Sequence, residues 1–153
     1  MAACDDERMS RNSWIALAIL AVITSVFGIW TALNQSGAVA EHIQGEWTLI
    51  EASDATGGID ASVTPVVLTI DGSTLGGTVC NHFGGDYTVS GSTFTVGALA
   101  TTEMWCETPT GIMDVETRFV QALSVVNTAR YEGTNLVLTG VDIRLVFSSP
   151  TPD

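Results

Sequence analysis

Residues 65–80 read PVVLTIDGSTLGGTVC, and this stretch indicates the fold more clearly than any other part of the chain. The apolar run over 66–70 is typical of a short strand, and Pro65 stands at its first position, where proline is tolerated. Asp71-Gly72 is a dipeptide typical of two-residue hairpin turns. Residues 74–80 return as a second strand, so the stretch predicts an antiparallel β-hairpin.

Short apolar runs separated by turn residues continue on both sides of this hairpin. Residues 45–50 predict a strand before it, and residues 51–64 predict a loop. The other predicted strands are 86–90, 93–96, 129–132, 135–138 and 143–147, with turns at Gly91-Ser92, Gly133-Thr134 and 140–142. Many short strands joined by tight turns indicate an antiparallel sheet.

One segment departs from this strand periodicity. Its apolar residues recur at intervals of three and four, which indicates one face of a helix: Ile112, Val115, Phe119, Ala122, Leu123 and Val126. We expect Thr108 to cap this helix and Pro109 to occupy its first position. The predicted fold class is therefore α+β, a strongly curved antiparallel sheet or partial (cracked) β-barrel that is covered by one α-helix.

An apolar run of twenty residues, 14–33, precedes the predicted domain. Twenty helical residues match the thickness of a bilayer, and Trp14 and Trp30 lie near the two ends, where indole rings favour the headgroup region. Arg8 and Arg11 stand before the run, and positive charge favours the cytoplasmic side. The run therefore predicts an N-terminal transmembrane helix with the following domain outside the cell membrane.

The predicted organisation follows from this helix. We expect a short cytoplasmic tail over 1–13, a signal anchor over 14–33, a linker over 34–42, a domain over 43–148 and a flexible tail over 149–153. The alternative is a signal peptide cleaved after Ala40, which ends an A-x-A sequence. Cleavage would give a secreted domain instead of a single-pass membrane protein.

The charge of the chain excludes two classes of partner. It has five Arg, no Lys, and 17 Asp and Glu, with a formal net charge of −12. Nucleic-acid binding requires Lys or Arg side chains that neutralise phosphates, and polybasic attachment to anionic lipid requires the same side chains. The acidity of the exported domain suggests a neutral or basic partner.

Three cysteines divide between the two sides of the membrane. We expect Cys4 to be a free cytoplasmic thiol and Cys80 and Cys106 to form a disulfide in the exported domain, where disulfides persist. Two alternatives stay open: a zinc site made by Cys80, Cys106, His82 and His42, and a nucleophile pair made by Cys80 and His82.

A calcium site is a further, weaker alternative. Asp54 and Asp60 lie in the Gly-rich loop, but they lack the acidic spacing of an EF-hand. We interpret them as residues of a solvated loop, and we expect no metal and no other cofactor.

Three motifs occur in order along the domain. Residues 80–87, CNHFGGDY, fit C-N-x-x-x-G-x-Y; residues 102–106, TEMWC, fit T-x-M-x-C; and residues 116–123, ETRFVQAL, fit E-x-x-F-x-x-A-L. Together they resemble the META domain family of HslJ-like bacterial envelope proteins. The resemblance implies a cracked antiparallel barrel with one helix, in proteins linked to stress, drug tolerance or secretion.

The motif residues themselves have two interpretations. We expect five of them to build a structural loop through side-chain hydrogen bonds, close backbone approach and ring packing: Asn81, Gly85, Tyr87, Thr102 and Met104. For His82, Phe83 and Trp105 we also favour a structural role, and the alternative is a candidate recognition surface, because exposed aromatic residues on a rigid loop often bind partners.

The residues and the resemblance together predict a non-enzymatic, membrane-anchored extracytoplasmic protein, an interaction module associated with the cell envelope or with stress. Its expected partners are the membrane, through 14–33, and an envelope protein of unknown identity. The first alternative is a carrier of a small apolar ligand, such as a lipid, held between helix and sheet. A more remote alternative is a hydrolase that uses Cys80, His82 and Asp86.

Overall fold

The computed structural model describes residues 42–149, which lie within one compact unit. In chain order the elements are β1 Gly45–Asp54, β2 Gly57–Ile59, β3 Val67–Asp71, β4 Thr74–Thr78, β5 His82–Ser90, β6 Thr93–Val96, β7 Ala100–Thr101, α1 Ile112–Val125, β8 Thr128–Glu132, β9 Asn135–Gly140 and β10 Ile143–Ser148.

Several sequence predictions lie outside the described residues. They are the tail over 1–13 with Cys4, the anchor over 14–33, the linker up to residue 41 and the last four residues. Within residues 42–149, no helix combines the length and the apolar character that crossing a bilayer requires.

The strands form a ring of antiparallel pairs. The order is β1, β3, β4, β5, β6, β8, β9 and β10, and β10 pairs again with β1. The short strands β2 and β7 are added at β1 and β5. Since β6 and β8 are joined only by the pair Thr93 and Thr128, the ring is not a clear barrel. The predicted antiparallel sheet with one helix is confirmed in this form.

The helix covers the apolar side of the sheet. Along β3, Leu68 and Ile70 are buried while Thr69 between them is exposed, as the two-residue period of a strand requires. Phe119 of α1 is fully buried, and its ring lies 5.5 Å from that of Phe83 on β5 and 6.4 Å from that of Phe147 on β10. The sheet and helix therefore share one aromatic core.

The predicted start of the helix was wrong. α1 begins at Ile112, and Gly111 before it has a φ of 91°, a left-handed conformation that glycine adopts without a Cβ penalty. No side chain caps this end. Pro109 lies before the helix, and its carbonyl accepts a hydrogen bond from the N–H of Ile112 across a turn.

Several strand boundaries also differ from the prediction, and β5 begins at His82, four residues before the predicted start. The predicted loop over 51–64 contains the end of β1 and all of β2, because residues 51–53 pair with β10 and residues 52–54 pair with β2. The first hairpin turns at Gly72-Ser73, one residue later than predicted, since Asp71 still pairs with Thr74. Gly72 has a φ of 57°, so the glycine supplies the left-handed residue of the turn.

Candidate functional site

A surface segment, residues 102–107, is tied at alternate positions to the loop between β4 and β5. We call it the tethered segment. The N–H of Thr102 donates to the carbonyl of His82 at 3.0 Å. The N–H of Met104 donates to Oδ1 of Asn81 at 2.6 Å, and Nδ2 of Asn81 donates to the carbonyl of Met104 at 3.1 Å. Asn81 therefore binds both backbone polar groups of one residue.

The third tether is covalent. The Cα atoms of Cys80 and Cys106 lie 6.1 Å apart and their sulfur atoms are at disulfide bonding distance. The bridge joins positions 26 residues apart in sequence, so it connects the β4–β5 loop directly to the segment that leads into α1. The tethered segment is thus fixed at residues 102, 104 and 106.

A buried carboxylate from the helix lies beneath these tethers. Glu116 of α1 is only 8% exposed, and its Oε2 accepts hydrogen bonds from the backbone N–H of Cys80, at 2.9 Å, and from that of Asn81. Its Oε1 accepts from Nδ2 of Asn81 at 2.8 Å. The helix therefore positions the loop, and within residues 42–149 no buried side-chain nitrogen or oxygen lacks a hydrogen-bond partner.

The sequence places Glu116 in a motif and in an early turn of the helix, where an acidic side chain suits the helix dipole, but it does not predict that this carboxylate holds the loop. The signal for it was its position, four residues after Ile112 and three before Phe119, which places it on the buried face of the helix. A carboxylate on an apolar face requires hydrogen-bond donors, and the donors come from a loop 35 residues earlier in the chain.

The structure separates the three residues of the predicted recognition surface. Trp105 is 77% exposed, and His82 is exposed with its Nδ1 2.7 Å from Oγ1 of Thr78. The recognition interpretation was wrong for Phe83, because this ring is 4% exposed and packs against Phe119, as a structural role requires. Successive residues of β5 point to opposite faces, so Phe83 must lie on the core side when His82 faces solvent.

Met104, and not Phe83, is the second exposed apolar side chain next to Trp105. Its side chain is 56% exposed, while its backbone holds the tether to Asn81. Thr102 acts through its hydroxyl as well, since Oγ1 donates to Oδ1 of Asn81 and accepts from the N–H of His82, both at 3.1 Å.

The other two motif residues stabilise neighbouring parts of the sheet. Tyr87 is 5% exposed, stacks on Phe94, and donates from its hydroxyl to the carbonyl of Gly72 at 3.1 Å. It therefore anchors the β3–β4 turn instead of the Cys80 loop, because five residues of β5 separate it from that loop. A Cβ at Gly85 would lie 2.6 Å from the carbonyl oxygen of Ala98, so the backbones approach closely there.

The residues considered for metal binding are engaged in other contacts. Asp54 accepts from Nε and from one terminal nitrogen of Arg118, both at 2.9 Å, and this arginine holds the pKa of Asp54 well below its usual range. Asp60 accepts from the hydroxyl and N–H of Ser62, which lower its pKa. Within residues 42–149, no group of three His, Cys, Asp or Glu side chains is placed to hold a metal ion.

All arginines of the described part of the chain are paired with carboxylates. Arg118 contacts Asp54, while Arg130 and Arg144 each lie 2.7 Å from Glu132. The hydrogen bonds from Arg144 and Arg130 lower the pKa of Glu132 to about 2. Arg118 also lies 3.7 Å from Asp114, and Arg144 lies 3.4 Å from Glu51. The arginines of the described residues therefore cancel part of the domain's own acidity.

One protein family matches this chain over the whole described domain. The model of the META domain matches residues 40–151, a range that includes every strand and the helix described above. The chain belongs to the META domain family. The resemblance drawn from the three motifs is thereby confirmed, and no curated protein matched the chain.

Three solved structures resemble this META domain in fold. An NMR structure of a protein from Burkholderia xenovorans has a TM-score of 0.60 and 22% identity over 75% of this chain and 88% of its own. Another protein solved by NMR has a TM-score of 0.52 and 19% identity, over 69% of this chain and 88% of its own. A crystal structure of a DUF4847 family protein from Bacteroides vulgatus has a TM-score of 0.54 and 13% identity, over 76% and 99%.

Proposed function

We propose that this META-domain protein is a non-enzymatic interaction module of the cell envelope, which contacts another envelope protein through the tethered segment. The observation that carries the proposal is the exposure of Trp105, 77%, on a backbone that is fixed on both sides of it. Tryptophan is among the residues that contribute most to binding at protein interfaces. Met104 beside it is 56% exposed and adds a flexible apolar side chain.

The tethers favour binding because they fix the segment before a partner arrives. Ordering a free loop on association would cost conformational entropy at each residue. Here hydrogen bonds to Asn81 and the bond from Cys80 to Cys106 order the segment during folding. The buried Glu116 supports the same loop from the helix side. A partner therefore meets a preorganised surface.

The proposed location is outside the cell membrane, with residues 14–33 as the anchor. The apolar run of twenty residues and the arginines before it support this topology. The pairing of Cys80 with Cys106 also supports it, because disulfides persist in oxidising compartments and are rare in the cytosol.

The enzymatic alternatives find no support in the geometry. The sulfur of Cys80 is bonded to Cys106, so it cannot serve as the thiolate of a Cys–His pair. His82 and Asp86 stand four residues apart on β5, which corresponds to about 13 Å along a strand. The lipid-carrier alternative is not favoured either, because Phe119 and the rings around it fill the space between helix and sheet.

Site-specific photocrosslinking in native membranes tests the proposal. A photoreactive residue such as benzoylphenylalanine replaces Trp105 in the full-length chain, and the control places it at Val141, which is 80% exposed in the turn between β9 and β10. We expect one protein, identified by mass spectrometry, to be joined to position 105 and not to position 141. Equal adducts at both positions, or none at position 105, would refute the proposed interaction surface.

A further inference from the structure

The side chains between the tethers are available to a ligand. Residues 102, 104 and 106 are tied through backbone hydrogen bonds or the disulfide, and the side chains of Glu103, Trp105 and Glu107 are exposed, as is that of Met104. Within residues 42–149, no hydrogen bond or ion pair engages any of these three side chains. Tethering at alternate positions suits an extended chain, in which residues two apart lie on one side of the backbone. Along the sequence, one carboxylate stands two residues before the exposed indole and another stands two residues after it.

The charges around this surface indicate what it attracts. Residues 42–149 contain twelve Asp and Glu against three Arg, and the whole chain has no Lys. Each of the three arginines is already paired with a carboxylate of the same domain. Neither anionic lipid nor a second copy of this acidic domain complements two further carboxylates beside an exposed indole.

We infer that Glu103, Trp105 and Glu107 together bind a cationic side chain, arginine or lysine, of the partner protein. The inference rests on the proposed function and names the chemistry that its partner must supply. A guanidinium or ammonium group is attracted to the face of an indole ring, and tryptophan is the strongest aromatic partner for it. The two carboxylates accept charge-assisted hydrogen bonds from the same group.

A peptide titration tests the chemistry without requiring the partner. The full-length chain is labelled with 5-fluorotryptophan, placed in phosphatidylcholine nanodiscs and titrated with the peptide GRGRG. The fluorine resonance of Trp105 is assigned with Trp105→Phe, and the buried Trp47 serves as an internal control. The matched ligand is the same peptide with citrulline in place of arginine, which keeps the shape and removes the charge.

We expect the Trp105 resonance to shift saturably with the arginine peptide while that of Trp47 stays in place. Citrulline should raise the Kd roughly three- to tenfold, the loss expected for one cation–π contact and exposed ion pairs. The double variant Glu103→Gln with Glu107→Gln should raise the Kd by a similar factor.

The control removes two exposed carboxylates elsewhere, Glu46→Gln with Asp71→Asn, and should leave the Kd unchanged. Equal affinities for the arginine and citrulline peptides would overturn the inference, and so would an equal effect of the two double variants. If the Trp105 resonance shifts with the concentration of the protein and not with that of the peptide, the segment mediates self-association and the inference is overturned. A specific adduct at position 105 combined with any of these results would leave the proposed function standing.

Discussion

Replacing Glu116 with alanine should remove a large part of the stability of this domain. The carboxylate is 8% exposed and accepts three hydrogen bonds, two from the backbone N–H groups of Cys80 and Asn81 and one from the side chain of Asn81. Each buried donor left without a partner costs about 1–3 kcal/mol, so the three donors give an expected loss of about 3–9 kcal/mol. Domains of this size have only about 5–15 kcal/mol of net stability.

A glutamine at the same position should give an intermediate result. Its amide oxygen can still accept from the two backbone N–H groups, but its NH2 group then faces Nδ2 of Asn81, donor against donor. We expect Glu116→Gln to cost about 1–3 kcal/mol. Two of the three donors belong to the backbone, so no second substitution can remove them.

Urea unfolding of a fragment over residues 37–153, which contains the described domain, measures these losses. With a denaturant slope of about 2 kcal/mol per molar, a loss of 4 kcal/mol lowers the midpoint by about 2 M at unchanged slope. The control, Glu107→Ala, removes an exposed carboxylate and should change stability by less than about 0.5 kcal/mol. The free energies of unfolding of Glu116→Ala and of this control should differ clearly. A difference below about 1 kcal/mol, which is on the order of one net hydrogen bond, would show that Glu116 does not hold the loop.

Three further predictions concern other parts of the molecule. Arg144 and Arg130 lower the pKa of Glu132 to about 2 in the folded state, so its stabilising contribution is present above about pH 4.5 and is lost as the pH falls through about 2. Arg118 holds the pKa of Asp54 lower still, so the contribution of Asp54 persists to lower pH. Urea midpoints should therefore fall less steeply with acidification in Glu132→Gln, and parallel curves would contradict this. Non-reducing peptide mapping should find Cys80 linked to Cys106 with the third cysteine free, and two free thiols in the domain would contradict this. Reduction of the disulfide should lower the free energy of unfolding by about 3.5 kcal/mol in the loop-entropy model. N-terminal sequencing of the protein from native membranes should begin at the first residue, whereas a start at Glu41 would show a cleaved signal peptide.

Much of the fold could be predicted because its signals are local. The apolar run over 66–70 and the helical spacing from Ile112 to Leu123 each depend on residues a few positions apart. Both elements formed, the strand one residue later than predicted and the helix with a start three residues after Pro109. The end of β1 could not be predicted in this way. Residues 51–54 read as a loop, but pairing with β10 and β2 supplies hydrogen bonds that outweigh their weak local preference.

The candidate site shows the same division. The motif around Asn81 marks the loop, and the sequence includes Trp105 in a candidate recognition surface; the structure shows that this side chain is exposed. The burial of Phe83 followed from the phase of β5, which depends on which face of that strand meets the helix. A sequence pattern does not show which strands pair with β5, so it does not show which face of β5 is buried.

By itself, the sequence determined the class of the fold, the family and the acidity, since these depend on composition, short-range periodicity and motif residues. Only the tertiary structure decided that Glu116 supports the loop and that Asn81 holds Met104 in place. It also decided that Glu103, Trp105 and Glu107 face solvent without partners. The contacts of Asn81 with Met104 and with Glu116 join residues 23 and 35 positions apart in the chain. A buried carboxylate needs donors that lie close to it in space, and their separation in sequence does not reveal them.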